Sequence, residues 1–230
     1  HFNDDSDFIQ FLNSAGFRVI PESRSNYTRT AFSLPSSLNM QYINYFENFS
    51  RDGVGYHARL SSTMIRFNKV AAFLRKRGYK YIHIGNVYFP AYGNKYMFSD
   101  FGFRHPNILE MDWAEKTILC VVFDHLKHLI LRDIALKSFD LLGEVPEVEG
   151  PTFTFAHLLL PHKPFIFGPN GEKVAVRKFN KGQCRGEYRK LYSDQMRFTD
   201  SKCKELVKQI LEKSDSEPII ILQSDHGYSC

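Results

Sequence analysis

Residues 218–227 read Pro218-Ile219-Ile220-Ile221-Leu222-Gln223-Ser224-Asp225-His226-Gly227. The apolar run that opens this stretch is typical of a strand that is covered on both faces of a parallel sheet. In open α/β sheets, sites lie at the carboxyl ends of strands. We therefore expect Asp225 and His226 to face such a site, although a strand-ending turn with a capping aspartate explains the dipeptide equally well.

The rest of the chain alternates short apolar runs with amphipathic helical patterns. This alternation predicts an α/β fold with a mainly parallel sheet. Further strands are predicted at residues 17–20, 81–84 and 153–160. Helices are predicted at residues 5–15 and at 33–46, the second with Ser33 as its cap and Pro35 in its first turn. A third helix has one face formed by Met64, Phe67, Ala71 and Leu74 and ends at Gly78. Two more are predicted around Leu126–Ile130 and along a face that includes Cys203 and Leu211.

Composition and charge exclude several classes of protein. The chain has 230 residues, of which 43% are hydrophobic and 24% charged, so it can form the core of one domain. Its net charge of +5 suits an anionic substrate. It lacks the dense Lys/Arg runs of nucleic-acid-binding proteins, and no nucleic-acid partner is expected. No apolar run approaches the roughly 20 residues that cross a bilayer.

Cysteine usage does not decide the compartment. The four cysteines show no zinc-ribbon spacing; they are Cys120, Cys184, Cys203 and Cys230. A bond between Cys184 and Cys203 and free buried thiols are equally consistent with the sequence.

A second reactive segment is Thr28-Arg29-Thr30-Ala31-Phe32-Ser33-Leu34-Pro35. A hydroxyl just before a helix N-terminus can attack a phosphorus or sulfur centre while backbone N–H groups hold the anionic oxygens. Hydroxyls are weak nucleophiles at neutral pH, so a metal ion must lower the pKa of Thr30. Taken alone, the segment is also a plausible N-cap cluster.

A third segment is Pro161-His162-Lys163-Pro164. The two prolines restrict the backbone and would hold the imidazole of His162 toward the site, where it could bind ester oxygens or protonate the leaving group. Lys163 could neutralise anionic charge or be a solvated lysine. His157, inside the predicted strand, is interpreted as a core histidine.

Together these segments resemble the sulfatase/alkaline-phosphatase superfamily. Thr30 to Pro35 resembles the nucleophile segment of phosphoethanolamine transferases, and its Thr-x-x-Ser spacing matches lipoteichoic acid synthases. Pro161 to Pro164 is similar to the histidine loop of sulfatases, and Ser224 to Gly227 matches the metal-binding turn of the phosphotransferase branches. Arg66 to Gly85 resembles the helix and strand that follow the nucleophile in sulfatases.

The resemblance implies a three-layer alkaline-phosphatase-like fold, with a mainly parallel central sheet flanked by helices. It implies that Thr30 is nucleophile and metal ligand, that Asp225 and His226 bind the metal, and that His162 contacts the transferred group. The ion would be zinc or manganese, because an imidazole ligand favours these over calcium. The substrate would be an anionic ester on a glycan or lipid of the cell envelope. The domain would lie outside the cytoplasm, with membrane contact through segments outside this chain.

Two departures from the family pattern limit the resemblance. Sulfatases convert the Cys or Ser of C/S-x-P-x-R to formylglycine, whereas Ser37 stands here in place of the arginine, which favours Thr30 over Ser33. The family's first strand, with its acidic metal ligand, would precede His1, so residues 1–230 are interpreted as one catalytic domain truncated at both ends. A sulfatase of sulfated glycans and an inactive binding module remain alternatives.

Overall fold

The computed structural model describes residues 6–44, 54–85, 101–102, 120–175 and 186–227. These ranges contain six α-helices and three strands. The helices are α1 Ser6–Ser14, α2 Thr30–Asn39, α3 Val54–Arg66, α4 Lys69–Arg75, α5 Cys120–Glu144 and α6 Glu187–Lys213. The strands are β1 Lys80–Ile84, β2 Phe101–Gly102 and β3 Thr152–Ala156. The protein is therefore a mixed α/β structure, as the sequence predicts.

The described strands form one small parallel sheet in the order β2-β1-β3. The register places Ile84, the last residue of β1, opposite Ala156, the last residue of β3. His157 follows at once, and its N–H donates to the carbonyl oxygen of Ile84 at 3.4 Å. The carboxyl ends of the two strands therefore lie side by side, and His157 stands at the sheet edge where α/β proteins place their sites.

Helices pack around this sheet through two apolar clusters. Leu34, Leu38 and Ile65 join α2 to α3 and pack against Phe155 of β3. Ile166, Phe167 and Phe198 join the loop after β3 to α5 and α6. The first cluster fixes the helix that begins at Thr30, and the second fixes the loop that carries His162. Both elements therefore rest on buried apolar contacts.

Helix α2 begins three residues earlier than the sequence analysis expects. Its N-cap is Arg29, whereas Ser33 is buried inside the helix and Pro35 follows two residues later. The helix ends at Asn39 because Met40 adopts a left-handed conformation and its N–H bonds the carbonyls of Ser36 and Ser37. The predicted bounds of 33 and 46 are therefore wrong at both ends, because the helix starts at Thr30 and residues 40–43 are not helical.

Two helices replace the single one predicted up to Gly78. The side chain of Asn68 accepts from the N–H of Ala71 at 2.7 Å and so caps a new helix. Phe67, at the break, is 57% exposed and does not share the buried face as predicted. Leu211 is likewise exposed near the end of α6 rather than inward.

Two predicted strands are not formed. Residues 17–20 and 218–222 belong to no strand of the described sheet. The second segment was expected to be buried on both faces, yet Ile219 is 94% and Ile221 79% exposed. An extended segment becomes a strand only when a neighbour accepts and donates its backbone hydrogen bonds, and β1, β2 and β3 pair only with one another in the described sheet.

The exposed isoleucines lead to a test of this segment. In a protein of these 230 residues, we expect Ile219→Thr combined with Ile221→Thr to reduce aggregation, measured by light scattering, because exposed apolar strands associate with other chains. The free energy of unfolding should change by no more than about 0.5 kcal/mol per site, as at other surface positions. Ile220→Thr, at a partly buried neighbour, is the control and should cost more. Severe destabilisation by the double substitution would show that the segment is a buried strand.

No helix in the described ranges has the length and apolar character needed to cross a membrane. Of the cysteines, Cys203 is a free, buried thiol of α6. Its proposed partner Cys184 lies outside the described residues.

Candidate active site

Thr30 and His226 lie in contact although they are 196 residues apart in sequence. The hydroxyl oxygen Oγ1 of Thr30 is 3.3 Å from Nε2 of His226. The other ring nitrogen, Nδ1, is 2.7 Å from the carbonyl oxygen of Gly227. Because a carbonyl only accepts, Nδ1 carries the proton, and Nε2 of the neutral ring has the lone pair. The Thr30 hydroxyl therefore donates to His226.

Asp225 extends this contact to three side chains. Its Oδ2 lies 3.5 Å from Nε2 of His226. That oxygen is buried and has no hydrogen-bond partner among the described residues. A buried carboxylate oxygen without a donor is costly, and such atoms are typical of functional sites.

Helix α2 anchors the turn that carries Asp225 and His226. The hydroxyl of the buried Ser33 donates to the backbone carbonyl of Asp225. Within the turn, Ser224 Oγ donates to the carbonyl oxygen of His226 at 2.6 Å. The contact from Ser33 explains why residues so far apart in sequence meet at the start of α2.

The first turn of α2 also offers backbone donors. The N–H groups of Phe32 and Ser33 donate to the carbonyl oxygen of Arg29, at 3.0 and 2.9 Å. An anion at this helix end would therefore meet the N–H groups of Thr30 and Ala31, where the helix dipole also favours negative charge.

His157 belongs to the same group of residues, a role that the sequence analysis did not assign. Burial lowers the pKa of His157 to about 4, while the charge of Asp225 raises the pKa and the charges of His162 and His226 lower it. The His157 imidazole is therefore neutral at pH 7, within electrostatic range of all three. The sequence analysis interprets His157 as a core histidine because it places His157 inside a strand, whereas β3 ends at Ala156, four residues before the predicted strand end. The position of His157 directly after a paired strand is the signal that could have identified it as a site residue.

His162 and Lys163 lie on an exposed loop beside this group. Nδ1 of His162 is 2.6 Å from the carbonyl oxygen of Lys163, so Nδ1 is the donor and Nε2 has the lone pair of the neutral ring. Both residues line a small cleft of about 50 Å³ between the loop and α5. The cleft is otherwise mainly apolar; its walls include Leu131, Ile134, Ala135, Phe139, Leu159, Leu160 and Ile166. The structure thus joins Thr30 and Asp225 to His226 by direct contacts, and His157 and His162 line one cleft.

The donor atoms at Thr30 fit a divalent metal ion. With bonds of about 2.0–2.1 Å, neighbouring ligands of a tetrahedral zinc ion are roughly 3.3–3.4 Å apart. The distances from His226 Nε2 to Thr30 Oγ1 and to Asp225 Oδ2 are 3.3 and 3.5 Å. Among the described residues, no three His, Cys, Asp or Glu side chains are grouped to hold a metal by themselves. The Thr30 hydroxyl is a further oxygen in contact with His226 Nε2.

Comparison with known proteins identifies a family for this chain. A family model described as Sulfatase matches residues 8–230. No curated protein and no solved structure matches the chain. Enzymes of this family typically use a divalent metal, and the family implies an alkaline-phosphatase-like fold and a sulfatase-like ester hydrolase or transferase. Because the match spans nearly the whole chain, this protein belongs to the sulfatase family, within the sulfatase/alkaline-phosphatase superfamily.

Proposed function

We propose that this chain is the catalytic domain of a metal-dependent enzyme that transfers or hydrolyses phosphate esters through a covalent intermediate on Thr30. One observation carries the proposal: Thr30 Oγ1 lies 3.3 Å from His226 Nε2, beside the buried Asp225 oxygen, at the start of a helix. A nucleophilic hydroxyl, two metal-ligand side chains and backbone donors are thus present in one place.

The reaction follows from these positions. The Thr30 hydroxyl gives its proton through water to Nε2 of His162, and Oγ1 attacks phosphorus; the new P–O bond forms as the bond to the leaving oxygen breaks. His162 passes this proton to the leaving oxygen, and the N–H groups of Thr30 and Ala31 hold the other phosphate oxygens. An acceptor hydroxyl or water then displaces Thr30. A divalent ion held by Thr30, Asp225 and His226 would supply the positive charge that lowers the pKa of the hydroxyl.

The environment of Ser33 favours this reaction over a formylglycine sulfatase. The Ser33 side chain is 4% exposed and donates to the Asp225 carbonyl, so its hydroxyl faces the protein rather than the cleft. With Ser37 where the modification motif has arginine, Thr30 is the better placed nucleophile. Sulfate-ester hydrolysis is kept as the second candidate because the family match is to sulfatases.

The cleft supports a lipid-linked substrate over a free glycan. His162 and Lys163 present polar atoms to an anionic ester, while the neighbouring walls are apolar and suit a hydrocarbon portion of the molecule. A membrane lipid of the cell envelope combines these two properties. As the family resemblance implies, we propose that the domain lies outside the cytoplasm; an imidazole ligand favours zinc or manganese as its ion.

Assays on chromogenic esters test the proposal. We expect the domain, supplied with zinc or manganese, to hydrolyse bis-p-nitrophenyl phosphate or p-nitrophenyl phosphate faster than p-nitrocatechol sulfate. Intact mass after mixing with substrate should show one added phosphoryl group, absent in Thr30→Ala. Sulfate turnover with formylglycine at residue 33 would instead establish the sulfatase alternative. Metal binding without turnover of any ester would favour an inactive binding module.

A further inference from the structure

The loop that carries His162 is held by one buried side chain of α6. Gln195 is 0% exposed, and its amide group contacts the loop backbone at both ends. Oε1 accepts from the N–H groups of Ile166 at 2.8 Å and Phe167 at 3.2 Å. Nε2 donates to the carbonyl oxygens of His162 at 2.9 Å and Pro161 at 3.1 Å. Nε2 also lies 3.5 Å from the carbonyl oxygen of Pro164, so one side chain makes five hydrogen bonds within residues 161–167.

The chemistry of the loop explains why a glutamine is needed. Pro161 and Pro164 have no N–H, and the carbonyls around His162 are not paired in a sheet or helix. Buried carbonyls and N–H groups must nevertheless find partners. Glutamine offers two donors and an acceptor at one end of a flexible chain, whereas glutamate lacks the donors and methionine lacks both.

A second side chain holds the far part of the loop but not the histidine. The Arg132 guanidinium of α5 donates to the carbonyl oxygens of Ile166 at 2.5 Å and Gly171 at 2.8 Å, and it stacks over the Phe167 ring. These contacts fix the segment after Ile166. Only the Gln195 amide, of these two side chains, reaches the carbonyl of His162 itself.

The two carbonyls nearest the imidazole are therefore both constrained. Gln195 fixes the carbonyl of His162, and the next carbonyl, that of Lys163, accepts from His162 Nδ1 at 2.6 Å. If the first carbonyl turns, the peptide unit that precedes Lys163 turns with it, and the Nδ1 contact is lost. We propose that Gln195 is a positioning residue for His162, setting the place and tautomer of its imidazole. This inference rests on the proposed role of His162 at the ester.

Variants of equal size separate positioning from support of the fold. Gln195→Met keeps the volume and removes all five hydrogen bonds, while Gln195→Glu keeps only the acceptor. Thr199→Val is the matched control, because Thr199 lies one turn later in α6 and its buried hydroxyl bonds the backbone carbonyl of Gln195 without touching the loop. If Gln195→Met does not fold, Gln195→Glu carries the test.

Two readouts decide the inference. By nitrogen-15 NMR, we expect His162 to be the Nδ1–H tautomer in the parent protein and in Thr199→Val, and a mixture of tautomers in both Gln195 variants. This readout needs no substrate, so it stands if the proposed function fails. In the active enzyme, kcat should fall about 10- to 100-fold, as for other groups that orient a functional residue. KM should change less, and adding Gln195→Met to His162→Ala should cause little further loss. An unchanged tautomer, or losses that simply add, would overturn the inference.

Discussion

Replacing Thr30 by alanine is expected to lower kcat by on the order of 10⁴-fold or more, because loss of a covalent nucleophile removes the reaction path itself. The substitution removes a hydroxyl and a methyl group from a partly buried position and leaves the rest of α2 in place. We therefore expect the variant to fold, to show the circular dichroism of the parent and to form no phosphorylated intermediate. The measurement is the rate of ester hydrolysis together with intact mass.

Two serines of the same helix serve as comparisons. Ser37 is exposed on α2, so Ser37→Ala should keep near-parent activity. Ser33→Ala should have an intermediate effect, since its hydroxyl anchors the Asp225 carbonyl but does not react. If Thr30→Ala remains active while Ser33→Ala is inactive, Ser33 is the nucleophile and the proposed reaction is wrong.

The sequence predicts β1 and β3 better than the strands expected at residues 17–20 and 218–222. The strand at 81–84 is found as β1, one residue longer at its start, because Tyr81, Ile82 and Ile84 are buried in the middle of the sheet. The apolar run 218–222 has an equally strong pattern but is not paired with the described strands. An apolar pattern indicates which residues favour burial, but it does not indicate whether a neighbouring strand is present to pair with them.

The candidate site was predictable where short motifs carry the chemistry. The meeting of Thr30 with Asp225 and His226 follows from three motifs in the family's order, and the structure places them in contact. The contributions of His157 and Gln195 were not predicted, because each depends on the position of another element in the fold. His157 is set by the end of β3, and Gln195 by a loop that packs across α6.

The replacement of Asp225 by asparagine is expected to lower the affinity for zinc without lowering the free energy of unfolding of the metal-free protein. Asparagine keeps the shape of the side chain but removes the charge that a metal ion needs, so zinc affinity should fall by at least about 100-fold, more than when a supporting residue is lost. Activity should fall with it.

In the metal-free protein, the buried Oδ2 atom has no hydrogen-bond donor among the described residues. Removing its charge should therefore leave the free energy of unfolding unchanged or raise it. Zinc affinity and stability respond differently because this carboxylate, in our proposal, binds the ion and does not stabilise the fold.

Zinc calorimetry and chemical denaturation in chelator measure the two effects. Asp194→Asn, at a mostly buried aspartate paired with Lys190, is the control and should leave zinc binding intact. Unchanged zinc affinity in Asp225→Asn, or calcium binding that survives His226→Ala, would contradict the metal assignment.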